Sequence, residues 1–356
     1  MWTSGHYGYL SDYVIWWVVP GSLLLHTWCF FRLWPARRRP NWRLVVGNAL
    51  ITLGGLALAG LAAETYLRFL CVKTDSFGTT LTCKRWFHLY PRANSWLCRD
   101  KEWTTPKPAD LYRVAFVGDS FTYGWGVNEE KDLFTSRLQA RFDQRPRPDR
   151  SAPHVEVMNV AWRGWNTGDE VTAIPTLIRD YAVDEVVLCY LPNDIEPLIP
   201  TTEDFDPARP PRPTYFRGDC SFLLDFLFHR LYARRLPGVR GYFDWLADGY
   251  ADPQVWPRQV ELLQRIIGIC ADEGVRLRVV LLPFLKTGGQ RFSAEAIHGQ
   301  VARVFTDAGV EVLDLLPTIA PLNANDLIVN SADYHPNEQA HALFADAIWQ
   351  TFYAAR

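Results

Sequence analysis

The stretch Val114-Ala115-Phe116-Val117-Gly118-Asp119-Ser120 is an apolar run that stops at a turn-forming tripeptide. A serine delivered there is well placed for nucleophilic attack, but its hydroxyl is weak until a base takes the proton. A base is available far along the chain, in Ser331-Ala332-Asp333-Tyr334-His335-Pro336-Asn337. Histidine is the side chain that most often serves as such a base, and His335 is the candidate. Asp333, two residues earlier in what reads as a turn, can hold the imidazole tautomer and stabilise the imidazolium. A tetrahedral oxyanion also needs preorganised donors, commonly a backbone N–H and a side-chain amide. Gly164, in Ala161-Trp162-Arg163-Gly164, offers the first, and Asn193, in Leu191-Pro192-Asn193-Asp194, offers the second. The Ser120 N–H is a third. The chemistry expected is acyl transfer through a serine ester, with Ser120, His335 and Asp333 catalytic and Ser120, Gly164 and Asn193 forming the oxyanion hole.

Each feature has a plainer reading by itself. Gly-Asp-Ser is good turn and cap chemistry. His335 before Pro336 suits a helix start. Asp333, His335 and His341 also suggest a metal site, but no further ligand cluster accompanies them, and neither metal nor cofactor is expected. Asp119 and Asp194 read as structural, bonding nearby backbone N–H groups. What favours catalysis is the common setting of the features, each just after a strand.

The elements that must position these residues alternate in type. Strands are expected at 113–117, 154–160, 185–191, 276–282 and 310–315. Helices are expected at 132–142, 167–181, 259–273, 294–308 and 337–353. Such alternation implies a parallel sheet covered on both faces, an α/β three-layer, flavodoxin-like domain over 111–356. Ligands then bind at the carboxyl ends of the strands, near the switch in strand order. Residues 196–257, with Pro-Ala-Arg-Pro-Pro-Arg-Pro at 207–213, interrupt the rhythm and read as an insertion near the site.

The first 64 residues differ in character. Segments 13–31 and 44–63 carry no formal charge, and about 20 apolar residues span a bilayer core. A buried core helix is the alternative for each. Between them lie Arg32, Arg37, Arg38, Arg39 and Arg43, whereas the first twelve residues have no Lys or Arg. Positive-inside bias then predicts a two-helix transmembrane hairpin with its loop in the cytoplasm. The N-terminus and everything after residue 64 lie outside the cytoplasm, beginning with a neck over 65–110. Across the chain, 37 basic and 39 acidic side chains nearly balance, which gives no general reason to expect nucleic acid. There is no Cys-x-x-Cys pattern. Of the cysteines in exported stretches, Cys83 with Cys98 is the expected disulfide pair.

Taken together, the Gly-Asp-Ser serine, Gly164, Asn193 and the Asp333/His335 element resemble the SGNH/GDSL hydrolase superfamily. The resemblance spans residues 111–356 and implies the same roles for Ser120, Gly164, Asn193 and His335. Two positions depart from it. The family often has Asp three residues before His, where this chain has Ala332, and Leu191 stands where the third block usually has glycine. The resemblance implies a serine esterase acting on O-acyl, notably acetyl, esters; the hairpin, which lies outside it, makes that a membrane-anchored enzyme with an extracytoplasmic glycan or lipid as the expected substrate. An O-acyltransferase acting on a cell-wall or secreted polysaccharide is the alternative, and a catalytically silent glycan-binding protein the second. Phe121, Tyr123, Trp125, Trp162 and Trp165 crowd the expected site, and sugar faces stack on such rings.

Overall fold

The computed structural model describes residue 28 and residues 40–76, 78–145, 154–201, 221–232 and 237–354. Five parallel strands form one sheet: β1 (Leu111–Gly118), β2 (His154–Ala161), β3 (Glu185–Tyr190), β4 (Arg276–Leu281) and β5 (Glu311–Asp314), in the order β2-β1-β3-β4-β5. All six residues of β3 are buried, as expected of a strand covered on both faces.

Alternation along β1 explains the three layers. Ala115 and Val117 point into one apolar cluster, with Ile174, Leu177, Leu263, Ile266 and Val301 from helices Thr167–Tyr181, Trp256–Asp272 and Ala294–Thr306. Val114 and Phe116 point into the other, with Phe134 and Leu138 from helix Phe134–Gln144 and Phe344 and Ile348 from helix Glu338–Ile348. The expected flavodoxin-like order is therefore present, with strand ends within two residues of those read from sequence. A ribbon missed by that reading pairs β6 (Ile328–Asn330) with β7 (Asp333–Pro336), antiparallel.

The chain divides into two compact units. One comprises Met1–Val72, Thr80–Arg85 and Pro211–Arg234; the other Lys73–Thr79, Trp86–Pro210 and Arg235–Arg356. The stretch read as a neck is thus shared between them, and so is the insertion.

In the first unit, the helix Pro40–Thr65 runs on through a wider turn, Tyr66–Leu70. Within it, Val46–Leu70 is long and apolar enough to cross a membrane. The other expected span, 13–31, lies outside the described residues apart from Trp28, so one helix of the expected hairpin is seen. Buried Glu64 pairs with Arg68 at 2.9 Å and accepts from the Ser221 hydroxyl at 2.8 Å. It also accepts from the Phe222 and Leu223 amides at 3.1 and 2.8 Å. A carboxylate thus satisfies the first amides of the short helix Phe222–Leu227.

Cys98 is a free, buried thiol, so the expected Cys83–Cys98 bridge is not formed. Burial pushes the Cys98 thiol up to about 12. It lies in the core with Trp103 and Met158, where it packs as a small apolar group.

Arg113, fully buried in β1, ties the sheet to its surroundings. It donates to Glu156 of β2 at 2.6 Å, to the Tyr181 carbonyl at 2.7 Å and to the Thr104 carbonyl at 2.7 Å. Arg113→Met leaves these acceptors without their donor. Since Lys101 still reaches Glu156 at 3.0 Å, the expected loss is about 3 kcal/mol, the lower end for a broken buried pair. A urea midpoint unchanged from the wild type would refute that account.

Candidate active site

Gly118 ends β1 where three chains converge. Its register partners are Ala161 of β2 and Cys189 of β3, so the loops carrying Ser120, Gly164 and Asn193 leave one edge of the sheet side by side. A Cβ at Gly118 would lie 2.5 Å from Thr122 Oγ1 and 3.0 Å from the Cys189 carbonyl, a space only glycine leaves open. Asp119 then caps the short helix Ser120–Tyr123, accepting from the Phe121 N–H at 2.9 Å. Gly124, at φ 77°, closes it. Ser120 is therefore both the first residue of a helical turn and a side chain free to reach elsewhere.

It reaches His335. Ser120 Oγ lies 2.9 Å from His335 Nε2, and His335 Nδ1 lies 2.6 Å from Asp333 Oδ1. Asp333 also accepts from the His335 backbone N–H at 3.2 Å. With Nδ1 protonated, Nε2 is left as the acceptor for the serine proton, the tautomer that proton abstraction needs. Asp333 sits in β7 and not in a turn. In a strand, residues two apart share a face, so the two-residue spacing puts carboxylate and imidazole on the same side. Tyr334 between them points out and is 38% exposed.

The imidazole is wedged between rings: Phe121 at 5.2 Å and Trp125 at 6.1 Å between centroids. Beyond Phe121 lie Phe284, at 6.2 Å, and Phe243 of the insertion helix Pro237–Ala251, 5.3 Å from Phe284. Phe121, Tyr123 and Trp125 are each less than 5% exposed. They anchor the loop and cannot offer a face to a sugar, which corrects the stacking expected of them. Trp162 and Trp165 remain half-buried.

Gly164 adopts φ 74° in the turn after β2 and a Cβ there would meet nothing within 4 Å, so its backbone faces open space. Asn193 lies in the turn Pro192–Leu198 after β3, and its Oδ1 is buried without a partner among the described residues. Asp194 braces that turn by accepting from the Leu191 N–H at 3.1 Å. His341 belongs to the core: its Nδ1 accepts from the Phe134 N–H at 3.1 Å, and burial lowers it to about 3, keeping the ring neutral.

Sequence reasoning missed several contributors. Residues 74–76 form a strap over the β6–β7 turn. The Ser76 N–H donates to the Ala332 carbonyl at 3.1 Å, and Ser76 Oγ accepts from the Tyr334 N–H at 3.0 Å. The Trp125 indole N–H donates to the Asp75 carbonyl at 3.2 Å. Buried Glu170, on the first turns of helix Thr167–Tyr181, was missed too. Neither of its oxygens, nor Asp194 Oδ1, has a partner among the described residues. Burial, then repulsion from neighbouring carboxylates, pushes Glu170 and Asp194 well above the usual range.

The sequence profile of the GDSL-like Lipase/Acylhydrolase family matches residues 116–343. No curated protein is detectably similar in sequence. Among solved structures, a lipolytic G-D-S-L family protein from Veillonella parvula is 14% identical, with 68% of this chain and 98% of that one covered and a TM-score of 0.40. An acetyl xylan esterase, AlAXEase, is also 14% identical, with 67% and 99% covered and a TM-score of 0.39. The salicylyl-acyltransferase SsfX3 is 15% identical, with 70% and 57% covered and a TM-score of 0.38. The fold and the hydrogen-bonded Ser-His-Asp chain define an enzyme of the serine acyl-hydrolase class. The protein belongs to the GDSL-like lipase/acylhydrolase family of the SGNH superfamily.

The raised Glu170 carboxyl has a signed consequence. Above the ordinary glutamate pKa of about 4.3 the unfolded chain releases a proton that the folded chain keeps, so this site lowers stability as pH rises towards the folded pKa. Glu170→Gln removes that contribution. Its stability relative to wild type is expected to increase from pH 5 to pH 8 by up to about 1.4 kcal/mol per pH unit. Parallel melting-temperature profiles for the two proteins across that range would contradict a neutral Glu170.

Proposed function

We propose that this enzyme is a membrane-anchored serine esterase that cleaves O-acyl esters through an acyl-enzyme on Ser120. The observation that carries the reading is the chain Asp333–His335–Ser120, with links of 2.6 and 2.9 Å. His335 Nε2 takes the Ser120 proton as Oγ attacks the ester carbonyl, and Asp333 stabilises the imidazolium. The Ser120 and Gly164 N–H groups and the Asn193 amide receive the oxyanion. The imidazolium returns its proton to the leaving alkoxide. Water, deprotonated by the same imidazole, then releases the acid and restores Ser120. Asp119 supports this arrangement: its Oδ2 lies 3.3 Å from Ser120 Oγ, and its Oδ1 holds the helical turn.

Anchoring is supported by the helix Val46–Leu70 and by the arginines that precede it in sequence. With the arginine-rich segment inside, the catalytic domain faces away from the cytoplasm and the substrate is an extracytoplasmic glycan or lipid ester, acetyl esters first among them. A cytoplasm-only reporter fused after Arg356 is then expected to stay inactive, and its activity would reverse the orientation.

The chemistry is tested with a fluorophosphonate probe and intact mass. Wild type is expected to gain one probe adduct and Ser120→Ala none; folded wild type that takes up no probe would sink the reading. Asp333→Asn should keep the fold and lower kcat by on the order of 10³- to 10⁴-fold, because the imidazole loses the partner that fixes its tautomer. Unchanged kcat in that variant would show that Asp333 does not orient the base. Adding polysaccharide to an ester assay separates the two fates of the acyl-enzyme: released acid marks hydrolysis, and O-acyl sugar marks transfer.

A further inference from the structure

Arg163 immediately precedes Gly164, and its guanidinium lies among three aromatic rings: 5.3 Å from Phe87, 5.6 Å from Trp125 and 6.0 Å from Trp162. The same Trp125 packs against His335, so one indole separates this cation from the imidazole. The surroundings are built closely around it. A Cβ on Gly78, at φ 65°, would come within 3.3 Å of Arg163 Nη1 and 3.1 Å of the Trp125 ring. Among the described residues Arg163 makes no hydrogen bond and no ion pair; its partners are rings alone. Rings engage the face of a guanidinium, leaving its N–H edge for in-plane acceptors.

A second cation is similar. Lys286, in the loop after β4, lies 5.2 Å from the Tyr334 ring and likewise has no anionic partner among the described residues. Tyr334 is the residue between Asp333 and His335. Two half-buried cations, Arg163 against the Trp125 ring and Lys286 against the Tyr334 ring, have no carboxylate in direct contact among the described residues. An ordinary surface Arg or Lys has water around it and nothing to explain; these are partly desolvated, and Arg163 adjoins Gly164 in sequence.

We propose that Arg163, with Lys286 as a second pole, forms an anion-binding subsite of the active centre, and that the natural ester carries a carboxylate or phosphate group. The inference rests on the serine-esterase reading and names its substrate class. The planar guanidinium edge matches a carboxylate or phosphate in a two-point contact, and Lys286 adds a point charge.

The test uses full-length protein and four aryl esters: neutral phenyl acetate, 3-acetoxybenzoate, acetoxyphenyl phosphate and monophenyl succinate. The second and third put carboxylate and phosphate on the alcohol side, and the fourth puts carboxylate on the acyl side. At least one anionic ester is expected to exceed phenyl acetate in kcat/KM by about tenfold or more, as hydrogen bonds to charged groups allow, and the advantage should shrink with added salt. Which ester wins assigns the anion and its side. Arg163→Met should remove most of the advantage through KM, Arg163→Lys should keep part of it, and phenyl acetate should change much less. The wild-type comparison needs no variant, so a misfolded mutant does not blunt it. Equal kcat/KM for neutral and anionic esters overturns the inference while leaving the esterase reading intact. A preference that survives Arg163→Met combined with Lys286→Met overturns it as well. No turnover of any ester and no fluorophosphonate labelling overturns both readings together.

Discussion

There is no room for a side chain at residue 118, and much of the site follows from that. The close approach of β1 to Thr122 and to the Cys189 carbonyl makes the chain turn at once, with Asp119 capping the helical turn. Ser120 is then held by the backbone of the turn, and its hydroxyl lies 3.3 Å from Asp119 Oδ2 and 2.9 Å from His335 Nε2. Because Ala161 and Cys189 flank Gly118 in register, the loops after β2 and β3 start level with the serine. The sheet order sends these two connections to opposite sides of β1, the switch that opens a crevice at strand carboxyl ends. A candidate nucleophile and its candidate oxyanion donors are thus brought together by strand register before any side chain is chosen.

The base arrives by a different route. Asp333 and His335 are carried on a two-stranded ribbon beside the sheet, and a strand has a side-chain period of two. A helical or turn setting would favour three- or four-residue spacing, and the family's usual Asp lies three residues before its His. Here the extended backbone makes two residues sufficient: both side chains share a face, and the bond between them is 2.6 Å. The strap at 74–76 then holds the ribbon's turn through Ser76. The departure at Ala332 is compensated by local geometry, which weakens the case for a silent protein.

What could be read from the sequence divides along the same line. Strands and helices of the sheet were legible because their signal is local: apolar runs that stop at Gly or Asn, and helices with one apolar stripe, as in Leu263, Ile266 and Cys270. The candidate residues were legible because each falls just past such a run. The strap, the Arg163 cage and the buried Glu170 were not. Ser76 meets Ala332 across most of the chain, and Phe87 meets Trp162 from a stretch that reads as irregular neck. Nothing in the residues around Glu170 marks it as buried, since an acidic residue in the first turn of a helix is ordinary cap chemistry. The Cys83–Cys98 pairing failed for the opposite reason: cysteine spacing carries little geometry, and Cys98 is a buried free thiol whose backbone is bonded to Asn94.

The buried acids beside the oxyanion loop bear on how the site works. Asp194 adjoins Asn193, so an ionised Asp194 would oppose the negative charge that the proposed mechanism develops there. At an effective dielectric near 20, two unit charges about 8 Å apart repel by roughly 2 kcal/mol, enough to offset a good oxyanion donor. Burial and the proximity of Glu170 work against this by pushing both carboxyls above the usual range. Asp194 in the neutral form can still accept from the Leu191 N–H, so the turn keeps its brace without carrying a charge. Asp333 differs because it is hydrogen-bonded to His335 at 2.6 Å. The raised carboxyls thus lie beside the loop that carries Asn193, and the carboxyl that faces the imidazole is a separate one.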